Sequence, residues 1–89
     1  MQNIITKEFV EKFEALNGKK ADVCIDHILY GSQKMRGCVP CTLWDGVHIG
    51  FIIEDERKYL MMDELIEACA DDHGCYLKGD VMEIKLKIK

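Results

Sequence analysis

Residues 38–53 read Cys38-Val39-Pro40-Cys41-Thr42-Leu43-Trp44-Asp45-Gly46-Val47-His48-Ile49-Gly50-Phe51-Ile52-Ile53. Val47, Ile49, Phe51 and Ile53 recur with a period of two, which puts them on one face of an extended chain. Asp45-Gly46 sits between two apolar runs, and that dipeptide accommodates the positive φ angles of a tight hairpin turn. Residues 38–44 and 47–53 are therefore read as an antiparallel hairpin. A mainly β domain is built outward from it.

On the N-terminal side the period changes. Phe9, Val10, Phe13 and Leu16 lie at helical spacing, Thr6 can cap the first turn, and Glu8 stands four residues before Lys12. Ile5 and Val10 are placed to form a hydrophobic staple, and Asn17-Gly18 supplies a left-handed stop. A helix over residues 7–16 is predicted. Ala21, Val23 and Ile25 then alternate with Asp22, Cys24 and Asp26, as in a half-buried strand. Residues 27–37 have no clear period and read as irregular.

On the C-terminal side residues 54–57 form a polar turn, residues 59–62 resume an apolar run, and residues 81–89 alternate without a break. There Met82, Ile84, Leu86 and Ile88 oppose Glu83, Lys85, Lys87 and Lys89. Residues 63–72 carry helix formers but also fit a bulged strand. Asp71-Asp72-His73-Gly74 resembles a turn returning to residues 75–77, which favours the strand. A short helix followed by about five antiparallel strands in 89 residues predicts one small closed barrel over residues 1–89, because closure removes exposed sheet edges.

Composition narrows the function. The net charge of -4 disfavours wholesale attraction to phosphate or to an anionic membrane, so any nucleic-acid contact must be local. The longest apolar runs are far shorter than the ~20 residues of a membrane-spanning helix. Five cysteines are an odd number, and Met1 to Thr6 lacks the basic and apolar regions of a leader. Reduced thiols in a cytoplasmic protein are expected.

The segment from Gly37 through Asp45 to Asp55 resembles the first motif of the Sm and Sm-like proteins: a glycine, an apolar strand, an aspartate and another apolar strand. Tyr76-Leu77-Lys78-Gly79-Asp80-Val81-Met82-Glu83-Ile84 is similar to the second motif of that family. The likeness covers roughly residues 6–88. It implies an N-terminal helix on a five-stranded antiparallel Sm/SH3-like small barrel, binding of single-stranded RNA, and assembly into a homo-oligomer through the outer strands. The RNA-contacting positions implied are Asp45, His48, Lys78, Gly79 and Asp80. Four residues after Asp45 the chain has Ile49 where the family has asparagine.

Read residue by residue, no nucleophile, base and carboxylate are spaced for catalysis, and neither a dinucleotide-binding glycine pattern nor a phosphate loop is present. A non-catalytic binding module without cofactor is expected, and a protein-binding regulator or inhibitor is the alternative partner class. Cys38 and Cys41 have the C-x-x-C spacing of zinc knuckles and redox pairs, and Cys69, His73 and Cys75 could complete a zinc site, so a zinc-stabilised or redox domain is a third reading. Residues three apart on a regular strand face opposite ways, however, so small apolar roles are expected for the thiols and no metal ligand is assigned. Lys85, Lys87 and Lys89 form either a basic stripe for RNA or an acidic partner, or the protection of a sheet edge.

Overall fold

The computed structural model describes residues 5–89, and most of the leader reading over Met1 to Thr6 falls outside that range. One helix, α1 (Lys7–Glu14), precedes eight strands: β1 (Ala21–His27), β2 (Gly31–Cys38), β3 (Cys41–Trp44), β4 (His48–Ile53), β5 (Glu56–Met61), β6 (Leu65–Asp71), β7 (Gly74–Gly79) and β8 (Met82–Ile88). A 3-10 turn, Met62–Glu64, separates β5 from β6. The strands form a five-stranded sheet in the order β2-β1-β8-β7-β6 and a three-stranded sheet in the order β3-β4-β5. Every pairing is antiparallel, and the last strand returns to lie beside the first.

The helix starts where capping chemistry dictates. Thr6 is extended at φ -101° and ψ 164°, and its Oγ1 accepts the Phe9 N–H at 3.0 Å. The helix ends two residues before residue 16, with Ala15 as its C-cap. Gly18 follows in the left-handed region at φ +77° and donates its N–H to the Pro40 carbonyl at 2.9 Å. Asn17 Oδ1 accepts the Thr42 N–H at 2.8 Å. The predicted Asn17-Gly18 stop therefore also ties the helix end to the passage between β2 and β3.

The hairpin over residues 38–53 is observed, with one interruption. Val39 and Pro40 separate β2 from β3, because proline has no N–H to offer a ladder. At this corner the chain leaves the large sheet for the small one, and at Met62–Glu64 it returns. The expected five-stranded closed barrel is thereby corrected to two open sheets of five and three strands. Residues 27–37 are likewise corrected. Apart from the turn 28–30 they belong to β1 and β2, and β2 pairs with β1 from Gly31 to Met35 and again at Cys38 although most of it is exposed. An edge strand that buries little has no apolar alternation to reveal it. Residues 65–71 adopt the strand reading, and Asp71 Oδ1 accepts the His73 and Gly74 N–H groups at 2.7 and 3.0 Å to close the turn into β7.

β8 lies between β1 and β7 and is not an edge. Its lysines thus cannot serve as edge protection, and the ladder edges open to another chain are those of β2 and β6 in the large sheet and β3 and β5 in the small one. Both sheets and the helix contribute to one core, with Phe9, Phe13, Val23, Ile49, Phe51, Leu77, Ile84 and Leu86 all buried. Phe13 stacks on Phe9 at 5.5 Å and meets Phe51 of β4 at 5.3 Å, so the helix seals one end of the space between the sheets. No helix among the described residues is long and apolar enough to cross a membrane.

Candidate functional site

The outward face of the five-stranded sheet is read from its register. Cys69 of β6, Tyr76 of β7, Lys85 of β8, Cys24 of β1 and Lys34 of β2 lie side by side in one row. Two residues along in one direction, Glu67, Lys78, Glu83, Asp26 and Ser32 make the next row. In the other direction Lys87 stands opposite Asp22, and Arg36 is adjacent where a bulge interrupts the β1–β2 pairing. The alternation that drives Val23, Ile25, Ile84 and Leu86 into the core thus brings the intervening Lys85 and Lys87 out beside Lys34 and Arg36.

Between these cations runs a shallow groove of about 190 Å³ over β1, with Cys24 and Asp22 in its floor and Lys34, Arg36, Lys85 and Lys87 along its sides. The small Cys24 side chain leaves room that a larger residue would fill. Asp22 is the one carboxylate in the groove lining and offsets part of its charge; its Oδ1 accepts the Gly37 N–H at 2.8 Å and faces Lys89 Nζ at 3.7 Å. Lys34, Arg36 and Lys87 have no carboxylate within ion-pair distance among the described residues. Lys85 Nζ reaches Glu83 at 4.0 Å and lies 5.8 Å from the centre of the Tyr76 ring. Desolvation, followed by the nearby Glu83 and Glu67 carboxylates, raises the Tyr76 phenol pKa.

The five positions implied by the family resemblance occupy two other places. Asp45 and His48 lie at the β3–β4 turn of the small sheet, and Lys78, Gly79 and Asp80 lie at the β7–β8 turn of the large one. No hydrogen bond or ion pair joins the two groups among the described residues. Asp45 is occupied by its own turn: Oδ1 accepts the Val47 and His48 N–H groups at 2.9 and 2.7 Å, and Oδ2 lies 2.9 Å from His48 Nδ1. The His48 side chain, then the two backbone donors, hold the Asp45 carboxyl well below the usual carboxylate range. Lys78 Nζ faces Glu83 at 3.9 Å, in a groove that also contains Asp26 and Asp80. Gly79 is buried, and a Cβ there would lie 2.4 Å from Leu60 Cδ2, which gives it a packing role.

Cys38 and Cys41 do not converge. Cys38 is buried with its Sγ 3.3 Å from the Ala21 carbonyl, whereas Cys41 is exposed beyond the Pro40 corner. Burial raises the Cys38 thiol pKa and pushes that of Cys75 up to about 12. Among the described residues no three His, Cys, Asp or Glu side chains cluster so as to hold a metal ion. Trp44 packs partly against the core, with its Nε1 buried and without a hydrogen-bond partner.

The contribution of Lys34 and Arg36 was missed by sequence reasoning because their segment carried no apolar period. Their i, i+2 spacing, the same as that of Lys85 and Lys87, is the signal that marks two basic side chains on one strand face. No protein-family model matches the chain, and neither the curated proteins nor the solved structures contain a significant match to it.

Proposed function

We propose that this protein is a non-catalytic binding module of Sm-like character that holds single-stranded RNA on the open face of its five-stranded sheet. The observation that carries this reading is the cluster of Lys34, Arg36, Lys85 and Lys87 around the Cys24 floor, with Tyr76 in the same row. In a chain of net charge -4, four cations gathered on neighbouring strands around the single Asp22 carboxylate leave a local excess of positive charge that favours a bound anion. A phosphate backbone supplies that anion, and the half-buried Tyr76 ring in the same row offers a platform on which a base can stack. Duplex fits less well, since the aromatic contact requires an unpaired base. The anionic surroundings of Lys78 make it the poorer phosphate contact.

Fluorescence anisotropy with labelled oligouridine tests the proposal. Engagement of about four phosphates gives a log–log salt slope of about -3 for a single strand. Lys85→Ala and Lys34→Ala should each flatten that slope by roughly 1, and Tyr76→Ala should weaken binding by about 1–3 kcal/mol at any salt. Lys78→Ala should change little. Binding that is insensitive to Lys34, Lys85 and Tyr76 but lost with Lys78 or His48 would move the ligand to the turn positions and refute the sheet-face reading.

A further inference from the structure

The β1–β2 turn presents three consecutive large apolar side chains to solvent. Ile28, Leu29 and Tyr30 are 73%, 74% and 85% exposed. Such a run is usually buried, and a contiguous exposed apolar patch marks an interaction surface. This one is ordered. The Leu29 N–H donates to His27 Nδ1 at 3.1 Å, the His27 and Tyr30 rings lie 4.5 Å apart, and the Ile28 N–H donates to the Val81 carbonyl at 3.0 Å. Gly31 takes φ +82°, which lets the chain turn back directly after Tyr30. The backbone of the tip and the Tyr30 ring are therefore held in place, which lowers the entropy lost when something covers them.

Beside the tip lies a groove of about 470 Å³ between β1 and the β7–β8 turn. Val81 and Met82 extend the apolar surface into it, and Asp26, Asp80 and Glu83 supply carboxylates. Lys78, the one lysine or arginine in the lining, and Lys85 beside it face the two Glu83 oxygens at 3.9 and 4.0 Å. Asp26 Oδ1 accepts from the Ser32 hydroxyl, so among the described residues Asp80 and the second Asp26 oxygen, met only by the Cys24 thiol at 3.9 Å, are the open acceptors. The surface is thus an apolar ridge with a negatively charged flank, opposite in sign to the neighbouring Lys34-Arg36-Lys85-Lys87 groove. That charge disfavours both an anionic membrane and RNA as occupants.

We infer that the Ile28-Leu29-Tyr30 tip and its acidic groove dock a cationic amphipathic segment of a partner protein, with apolar side chains seated against the tip and lysine or arginine side chains in the groove. Apolar anchors supply the affinity, and the Asp26, Asp80 and Glu83 carboxylates select the charge of the partner. This surface adjoins the cationic row of the sheet face at Glu83, whose other oxygen lies 4.0 Å from Lys85 Nζ, so a protein segment and a nucleic acid would sit side by side on the module.

The probe is a synthetic amphipathic peptide of leucine and lysine, titrated into ¹⁵N-labelled protein, with its leucine–glutamate counterpart as the control. Amide shifts should centre on residues 26–31 and 78–83, and the acidic peptide should leave them unmoved. Leu29→Ser and Tyr30→Ser should each weaken binding by roughly tenfold or more without moving the melting temperature, since both residues are exposed. The double variant Asp80→Asn, Glu83→Gln should remove most of the salt dependence. Equal binding of the acidic peptide, shifts centred on Lys34 and Lys85, or no tip shifts at millimolar peptide would each overturn the inference. So would tip shifts produced instead by phosphatidylcholine–phosphatidylglycerol vesicles, or by raising the protein concentration alone with a doubling of mass. Oligouridine shifts centred on Cys24, Lys34 and Arg36, away from Glu83, report on the cationic groove, so either reading can fail alone.

Discussion

Replacing Phe13 with alanine should remove a large part of the stability of the fold. Phe13 is fully buried and touches Phe9 within the helix and Phe51 across the core, so one ring joins the helix to the three-stranded sheet. Truncating a fully buried phenylalanine costs about 3–5 kcal/mol through lost burial and the cavity left behind. A domain of this length has about 4–13 kcal/mol in total. At about 4–8 °C per kcal/mol the melting temperature should fall by about 12–40 °C. Phe13→Leu keeps most of the volume and should cost less than about 2 kcal/mol. Urea unfolding followed by circular dichroism measures both, and the slope of free energy against urea must stay constant for the comparison to hold. If Phe13→Ala loses less than about 1.5 kcal/mol, or no more than Phe13→Leu, the helix does not seal the core as described.

Gly74→Ala should destabilise by about 1–3 kcal/mol, because its Cβ would lie 2.0 Å from the Leu86 carbonyl oxygen and the backbone of the β7–β8 ladder cannot move aside; an unchanged urea midpoint would show that it can. Asp45 has a depressed pKa in the fold, so its contribution is fully present above the unfolded value of about 4 and is lost as pH falls below it. Melting temperatures of wild type and Asp45→Asn should therefore converge as pH drops from about 5 to about 2, and a gap independent of pH would contradict this. Ellman's reagent should modify the exposed Cys41 and Cys69 quickly, and Cys38 and Cys75 only after unfolding; early labelling of Cys75 would be incompatible with its burial and its pKa of about 12.

The amino-acid sequence by itself determined the features that depend on local chemistry. Thr6 caps because its hydroxyl reaches an N–H three residues away, Gly18 ends the helix because it lacks a Cβ, and the turns around Asp45-Gly46 and Asp72-His73 close on neighbouring aspartates. The inward faces of β1, β4 and β8 follow from simple alternation. The tertiary structure decided what depends on pairing between distant segments. β2 is a strand because β1 supplies its ladder, and β8 is an inner strand because β1 and β7 both pair with it; neither fact is written in the residues concerned. The two corners at Pro40 and at residues 62–64 set two open sheets in place of a closed barrel. The candidate site belongs to the same category: Lys85 and Lys87 were legible as a stripe, but Lys34 and Arg36 join them only because a register about fifty residues apart in sequence places all four around Cys24. Hydrogen bonding along a strand is indifferent to side-chain identity, so the neighbours of a strand are chosen by the whole chain.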